Sequence, residues 1–258
     1  MPSTAEYDLA DGIAVVTLSN PGRANALSNR TFTEELPALI ERAGDEARVL
    51  IVTGADGAFC AGSELDADGF GDVSRDDTIA LLRGAHRVVE LIRGIPIPSI
   101  AAMDGVAVGA GLGIAASCDL RIASPRTRVS APYVRMGLTP DMGLSRLLPE
   151  LVGVGRALEL TLTGRMWSAE EGLEAGLLDR VVDDAPAVAR ELAAAIAAGP
   201  AGTVAAIRRM VRSSLDGTLE ATLFDVEPAA FADAQHGEEF AERFAAYRAS
   251  LARKGGAS

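Results

Sequence analysis

The chain has 258 residues, of which 48% are hydrophobic, and a formal net charge of −12. This composition supports one sizeable core, and the negative charge argues against a surface for nucleic acid or for an anionic membrane. The apolar runs are short and the first residues lack the basic and apolar regions of a secretory signal, so we expect a cytoplasmic protein without a transmembrane helix.

The chain has two cysteines and two histidines. We interpret Cys60 and Cys118 as small core residues, because two cysteines provide neither a disulfide scaffold nor a metal cluster. The alternative is a catalytic thiol, for which only His86 or His236 could act as the base. No metal and no redox cofactor are expected.

Apolar periodicity predicts strands that alternate with helices up to about residue 185, an α/β core, followed by a helical part over residues 186–258. Strands are predicted at residues 13–18, 48–53, 99–103 and 119–123. Helices are predicted at residues 29–43, 78–93, 112–117 and 153–163, and in the C-terminal part at 187–198, 201–215, 218–233 and 237–253. Ser168 and Glu171 have the spacing of a capping box, which predicts a further helix start.

Residues 66–77 are polar and rich in aspartate. This composition indicates either a mobile loop over a pocket or a solvated surface loop. In the following helix His86 and Glu90 lie one turn apart, which we interpret as a surface pair rather than a catalytic one.

The stretch 100–120 contains an apolar strand, the turn Asp104-Gly105, the run Gly109-Ala110-Gly111 and a buried helix. Small residues at a strand-to-helix junction allow close approach of a ligand, and the free N–H groups of a helix start can bind an anion or an oxygen that becomes one. Close packing alone is the alternative. A dinucleotide site is disfavoured, because the third glycine has the wrong spacing and no acidic residue follows about 20 positions later.

Four segments in order resemble the crotonase superfamily, the enoyl-CoA hydratase/isomerase family, over nearly the whole chain. They are Asn20-Pro21 with Asn25-Ala26-Leu27, the segment FCAGSEL at 59–65, GAG at 109–111, and GLTPDMG at 137–143. Glu64 stands where the family usually has aspartate. The resemblance implies a crotonase-like spiral of ββα units with a helical C-terminal oligomerisation part. It also implies a homotrimer or hexamer, and an acyl-CoA thioester substrate that brings its own CoA.

The resemblance assigns an oxyanion hole to the backbone N–H groups of Ser63 and Ala110, and backbone donors suit a thioester enolate oxygen. Tyr133 is expected to line the acyl pocket, and Arg23 either contacts the CoA phosphates or is an ordinary surface arginine. Glu64 with Asp66 is either a second acid pair or a loop-stabilising pair. The expected substrate-binding residues are Arg23, Ala24, Ala26, Ala61, Gly62, Glu64, Leu65, Gly109, Tyr133 and Thr139.

The departures from the family pattern bear on the reaction. The two glutamates that hydratases of the family use fall at Gly113 and Tyr133, so both carboxylates are missing. Asp141 remains, and the pattern resembles double-bond isomerases of the family, including the epoxyphenylacetyl-CoA isomerase type. The first hypothesis is therefore an isomerase that uses Asp141, unless Asp141 only caps the helix near residue 144. The alternatives are a hydratase or related lyase that recruits water through Glu64, Tyr133 or another group, and a catalytically silent acyl-CoA-binding protein.

Overall fold

A computed structural model describes residues 3–64, 74–213, 226–235, 240 and 242–244. The chain divides into two compact units, Met1–Ala197 and Ala198–Ser258. All strands of the described residues lie in the first unit, and the described part of the second unit is helical.

The elements alternate along the first unit, which confirms the predicted α/β class. The strands are β1 (Thr4–Ala10), β2 (Ile13–Ser19), β3 (Val49–Gly54), β4 (Ser99–Met103), β5 (Val106–Val108), β6 (Leu120–Ala123), β7 (Arg128–Ser130), β8 (Trp167–Ser168) and β9 (Arg180–Val181). The helices are α1 (Leu36–Glu46), α2 (Arg75–Gly94), α3 (Ala110–Ser117), α4 (Leu144–Val152), α5 (Val154–Thr163), α6 (Ala169–Ala175) and α7 (Ala185–Ala197). A π-helical turn (Thr31–Glu35) precedes α1, and a 3-10 helix (Pro132–Met136) follows β7. The second unit contains α8 (Ala201–Ser213) and α9 (Glu227–Gln235).

The strands of the first unit form two sheets. The larger sheet has the order β1-β2-β3-β4-β6-β9, in which only β1 and β2 pair antiparallel. The smaller sheet has the order β5-β7-β8. β4 and β5 are joined by a tight turn and enter different sheets, and so do β6 and β7, so each of these two pairs contributes one strand to each sheet.

β3, inside the larger sheet, is buried on both faces, whereas the edge strand β1 is mostly exposed. On one face Leu50 and Val52 of β3 join the main core with α1, α2 and α3, and on the other Val49 and Ile51 face α7. A parallel strand covered on both sides needs a continuous apolar run, which is the pattern of β3.

The alanines of α7 explain its place in the first unit. Ala185, Ala189 and Ala193 recur every four residues, are fully buried, and let the helix backbone approach the sheet. Compact unit 1 therefore runs to Ala197, beyond the residue 185 at which the sequence pattern changes from mixed to helical.

Five of the observed strands, β1, β5, β7, β8 and β9, are not among the predicted elements, and the last three are only two or three residues long. β1 forms a hairpin with β2 around Asp11 and Gly12, which have φ of 53° and 74°. An Asp-Gly pair between extended segments is a strong hairpin signal, so β1 was available from the sequence. β5 is only three residues long and pairs with β7, far along the chain, so its periodicity gives no signal of its own.

The predicted loop at 66–77 lies mostly outside the described residues. Its last part is helical, because α2 begins at Arg75, where the hydroxyl of Ser74 accepts a hydrogen bond from the N–H of Asp77 at 3.2 Å. Asp76 and Asp77 thus lie in the first turn, where the helix dipole favours negative charge. The capping box of Ser168 and Glu171 at the start of α6 is confirmed. Most of the helix predicted at 237–253 lies outside the described residues.

Candidate active site

The junction between β5 and α3 brings two backbone segments into contact. Gly109 has φ of 54°, and its N–H donates to the carbonyl of Ser130 at 2.9 Å. A Cβ at Gly111 would lie 2.2 Å from the carbonyl oxygen of Cys60, so only glycine fits there. The close-packing interpretation is correct for Gly111, and this packing brings the start of α3 against the segment 59–64.

Segment 59–64 is held in an extended form by Leu27. The Leu27 N–H donates to the carbonyl of Gly62 at 2.8 Å, and the Glu64 N–H donates to the carbonyl of Leu27 at 2.9 Å. Successive N–H groups of an extended segment point to opposite sides, so the N–H of Ser63 points away from Leu27.

Ser63 and Ala110 present backbone N–H groups at this contact. Ala110 is the first residue of α3, and the first N–H groups of a helix have no acceptor inside the helix. A Cβ on Gly62 would lie 3.4 Å from the Ala110 nitrogen, so the residue before Ser63 lies directly against Ala110. Within the described part of the chain, neither the Ser63 nor the Ala110 N–H donates to an acceptor. Two such donors can bind one oxygen that gains negative charge.

Glu64 is held by the loop of Asn20 and Ala26. The amide of Asn20 donates from Nδ2 to Glu64 Oε1 and to the Ala26 carbonyl, both at 2.6 Å. This arrangement favours the loop-stabilising interpretation of Glu64. Its expected partner Asp66 and the expected binding residue Leu65 lie outside the described residues.

The loop 20–26 carries three of the expected substrate-binding residues. Arg23 and Ala24 are exposed, whereas Ala26 is buried. The Ala24 carbonyl accepts the N–H of Ala61 at 2.9 Å, which brings this loop beside segment 59–64. Ala24 and Asn25 have left-handed φ of 46° and 57°, and the buried amide of Asn25 stabilises the loop by hydrogen bonds to nearby backbone.

Asp141 and Tyr133 form a hydrogen-bonded pair beside the junction. The Tyr133 hydroxyl donates to Asp141 Oδ1, and a Cβ on Gly109 would lie 3.7 Å from that hydroxyl oxygen. Burial raises the pKa of Asp141, while the hydrogen bond from Tyr133 acts in the opposite direction. Burial and the Asp141 carboxylate raise the pKa of Tyr133, so its hydroxyl stays neutral and donates. Thr139, two residues before Asp141, is exposed.

His86 belongs to this site, which the sequence analysis missed. Its Nε2 accepts a hydrogen bond from the backbone N–H of Met142 at 3.2 Å. Glu90 instead lies near Arg87, at 3.9 Å, so the predicted His86–Glu90 surface pair is wrong. A histidine one turn from a glutamate gives no sign in the sequence of a contact with a loop 56 residues further along.

The structure leaves no room for the hydratase carboxylate at Gly113. A Cβ at this position would lie 2.4 Å from Met142 Cβ and 2.9 Å from the Met142 carbonyl oxygen. The second hydratase position holds Tyr133. The absence of a glutamate at residue 113 is therefore built into the packing of α3 against the Asp141 loop.

Cys60 and Cys118 are buried free thiols, and burial raises the pKa of Cys60 to about 12, which opposes a role as a nucleophile.

Among the described residues, no cluster of three or more histidine, cysteine, aspartate or glutamate side chains could hold a metal ion. None of the described helices combines the length and apolar character needed to cross a bilayer. The cytoplasmic location stays a prediction.

Comparisons with known proteins identify the family of the chain. The family model for enoyl-CoA hydratase/isomerase matches residues 8–252. A probable enoyl-CoA hydratase of Rhodobacter capsulatus is 35% identical over 222 residues, covering 85% of each chain. The 4-chlorobenzoyl coenzyme A dehalogenase-1 of an Arthrobacter species is 31% identical over 257 residues, covering 96% of this chain and 93% of its own.

A solved structure, a putative enoyl-CoA hydratase from Streptomyces coelicolor, superposes with a TM-score of 0.89 at 32% identity, covering 95% of this chain and 91% of that one. This likeness confirms the crotonase-like fold that the motifs imply. The chain belongs to the enoyl-CoA hydratase/isomerase family of the crotonase superfamily.

Proposed function

We propose that the protein is a double-bond isomerase of enoyl-CoA thioesters, with Asp141 as its acid and base. The observation that carries the proposal is the half-buried carboxylate of Asp141 beside the β5–α3 junction, combined with the steric exclusion of a side chain at Gly113. Isomerisation needs one group that removes and returns a proton, whereas the family's hydration uses two carboxylates.

The N–H groups of Ser63 and Ala110 form the oxyanion hole in this proposal. Removal of the α-proton of a thioester places negative charge on the carbonyl oxygen, and each preorganised donor stabilises that charge by about 3–4 kcal/mol. Both donors are backbone groups on rigid segments, which supports the role because their positions do not depend on side-chain rotamers.

Asp141 carries the proton. With Oδ1 bound to the Tyr133 hydroxyl, Oδ2 takes a proton from Cα of a β,γ-enoyl thioester, and the electron pair of the C–H bond forms the dienolate. The same carboxyl group then returns the proton at Cγ, which gives the conjugated α,β-enoyl thioester. A buried carboxylate with a raised pKa is a stronger base and a better matched acid than an exposed one.

The substrate lies, in this proposal, across the loop 20–26 and segment 59–64. Arg23 and Ala24 are exposed on that loop and contact the CoA part, while Ala26 and Tyr133 line the path to the junction. The remaining contacts that we assign to the thioester are Ala61, Gly62, Glu64, Gly109 and Thr139.

We also propose that the protein assembles as a homotrimer or a hexamer. One apolar stripe on α5 supports this, because Val154, Leu158 and Leu162 recur every four residues and are 64%, 50% and 67% exposed. Sedimentation velocity at several protein concentrations measures the assembly, and a monomer at every concentration would contradict it.

The test of the reaction is incubation with a β,γ-enoyl-CoA while ultraviolet absorbance and product mass are followed together. We expect conjugated-thioester absorbance to rise at unchanged mass. Asp141→Asn keeps the shape and the capping ability of the side chain but removes the base, so turnover should fall by about 10²–10⁴-fold. The matched control is Asp45→Asn on the exposed surface of α1, which should keep full activity.

Other outcomes identify the alternatives. A mass gain of one water on an α,β-enoyl-CoA, whose double bond is conjugated to the thioester, identifies a hydratase, the activity in the name of the Rhodobacter relative. Tight binding of the CoA ester without turnover, for the β,γ-enoyl-CoA, the α,β-enoyl-CoA and ring-bearing esters, identifies a silent acyl-CoA-binding protein. Full turnover by Asp141→Asn would show that Asp141 is not the acid and base of the reaction.

A second candidate function is dehalogenation of a haloaryl-CoA thioester, which the name of the Arthrobacter relative and the carboxylate of Asp141 together favour. Here an Asp141 oxygen bonds to the ring carbon that carries chlorine, and chloride leaves with the electron pair of the C–Cl bond. Water then hydrolyses the aryl ester and restores the carboxylate. Chloride release from 4-chlorobenzoyl-CoA that requires Asp141 would select this function over isomerisation.

A further inference from the structure

His86 lies on α2, which contacts the loop that carries Asp141. Its Nε2 accepts the Met142 N–H at 3.2 Å. An imidazole nitrogen that accepts a hydrogen bond carries no proton, so the hydrogen bond assigns the ring proton to Nδ1. With its lone pair used in this way, Nε2 is not a free base.

The residue that His86 binds has a strained backbone. Met142 has φ of 47° and is buried, and Gly143 after it has φ of 73°. A left-handed conformation is unfavourable for a methionine, and it persists where neighbouring contacts determine it. Because Met142 directly follows Asp141, its backbone conformation decides where the Asp141 carboxylate lies.

Two helices, α3 and α2, contact this turn. Met142 packs on Gly113 of α3, where even a Cβ would lie 2.4 Å from its own Cβ. The helix α2 contributes the His86 hydrogen bond and Val89, whose Cγ1 would lie 3.3 Å from a Cβ on Gly143. Among these contacts the His86 hydrogen bond is the polar one. Without it, the N–H of the buried Met142 would lose its acceptor.

We propose that His86 is a positioning residue, which holds the Met142 turn so that the Asp141 carboxylate meets the substrate. The inference rests on the proposed function of Asp141. In this role His86 acts through the backbone of Met142, the residue after Asp141, and does not touch the substrate. The positioning role therefore requires only a hydrogen-bond acceptor at the place of Nε2. It does not require the imidazole to take up or release a proton.

The experiment compares His86→Leu, which removes the acceptor, with His86→Gln, whose Oε1 can replace Nε2. We expect His86→Leu to lower kcat by about 10- to 100-fold with little change in KM, because misplacing a catalytic group by about 1 Å has effects of this size. His86→Gln should recover most of that loss. Glu90→Leu, on the exposed face of the same helix, is the matched control and should keep the wild-type kcat.

A measurement without substrate separates this inference from the reaction itself. The chain has two histidines, so the ¹⁵N spectrum of the imidazoles of the wild-type protein contains two rings, and His86→Gln identifies the one from His86. A proton on Nδ1 supports the inference even if the reaction is not isomerisation. A proton on Nε2 overturns it, as would an unchanged kcat in His86→Leu or an equal loss of kcat in both variants, which would indicate acid–base chemistry of the ring.

Discussion

Gly113→Ala tests the link between core packing and the position of Asp141. The added Cβ would lie 2.4 Å from Met142 Cβ and 2.9 Å from the Met142 carbonyl oxygen. Carbon atoms pack at about 3.5–4.0 Å, so the two segments must separate by roughly 1–1.5 Å. α3 is buried along its whole length, which leaves the Asp141–Gly143 turn as the part that moves.

The expected consequences are separable. Overpacking of this kind destabilises a protein by about 1–3 kcal/mol. A displacement of the Asp141 carboxylate by about 1 Å lowers kcat by about 100-fold. The loss of activity should therefore exceed what the fraction of unfolded protein explains.

The assay is steady-state isomerisation with urea unfolding of the same preparations. Gly155→Ala on α5 is the matched control, because a Cβ there meets nothing within 4 Å; it should leave kcat unchanged and should raise the free energy of unfolding by at most about 1 kcal/mol. A Gly113→Ala protein that folds and keeps kcat within about threefold of the wild type would refute the reasoning. Gly113→Glu, the hydratase residue, should be inactive for the same reason and should not gain hydration.

Two further predictions concern charge. Tyr133→Phe removes the hydrogen bond that lowers the pKa of Asp141, so the acid limb of the pH profile of kcat/KM should move to higher pH; an unmoved limb would exclude Asp141 as the base. Arg121 is buried, with its guanidinium 2.8 Å from Asp179 and bonded to two backbone carbonyls, so Arg121→Met should lower the free energy of unfolding by about 3–5 kcal/mol in urea titrations. Asp179→Asn keeps a neutral acceptor but leaves the buried Arg121 charge without its counter-ion, so it should also cost about 3–5 kcal/mol, and a loss below about 1 kcal/mol would contradict the burial argument.

Much of the site follows from local sequence. The apolar run of β4, the Asp104-Gly105 turn and the glycines before α3 predict a strand, a turn and a helix start, and the structure has all three. The sequence also reveals that Gly113 and Tyr133 stand where carboxylates are expected in a hydratase. The strand, the turn and the helix start can be predicted because their conformations depend on residues close together in the chain. The residues at positions 113 and 133 are read directly from the sequence.

Other features depend on contacts between distant segments. β5 is three residues long and exists because β7 pairs with it. The helix α7 has the composition of an ordinary alanine-rich helix, and its grouping with the first unit follows from burial of Ala189 against the larger sheet.

The sequence by itself therefore determined the α/β class, the family and the choice of Asp141 as the candidate carboxylate. The tertiary structure alone decided that His86 accepts the N–H of Met142, and that Gly113 must stay a glycine. The physical reason is that both facts depend on the left-handed turn at Met142, whose conformation is fixed by packing between α2 and α3. No local pattern encodes a turn that only its distant neighbours stabilise.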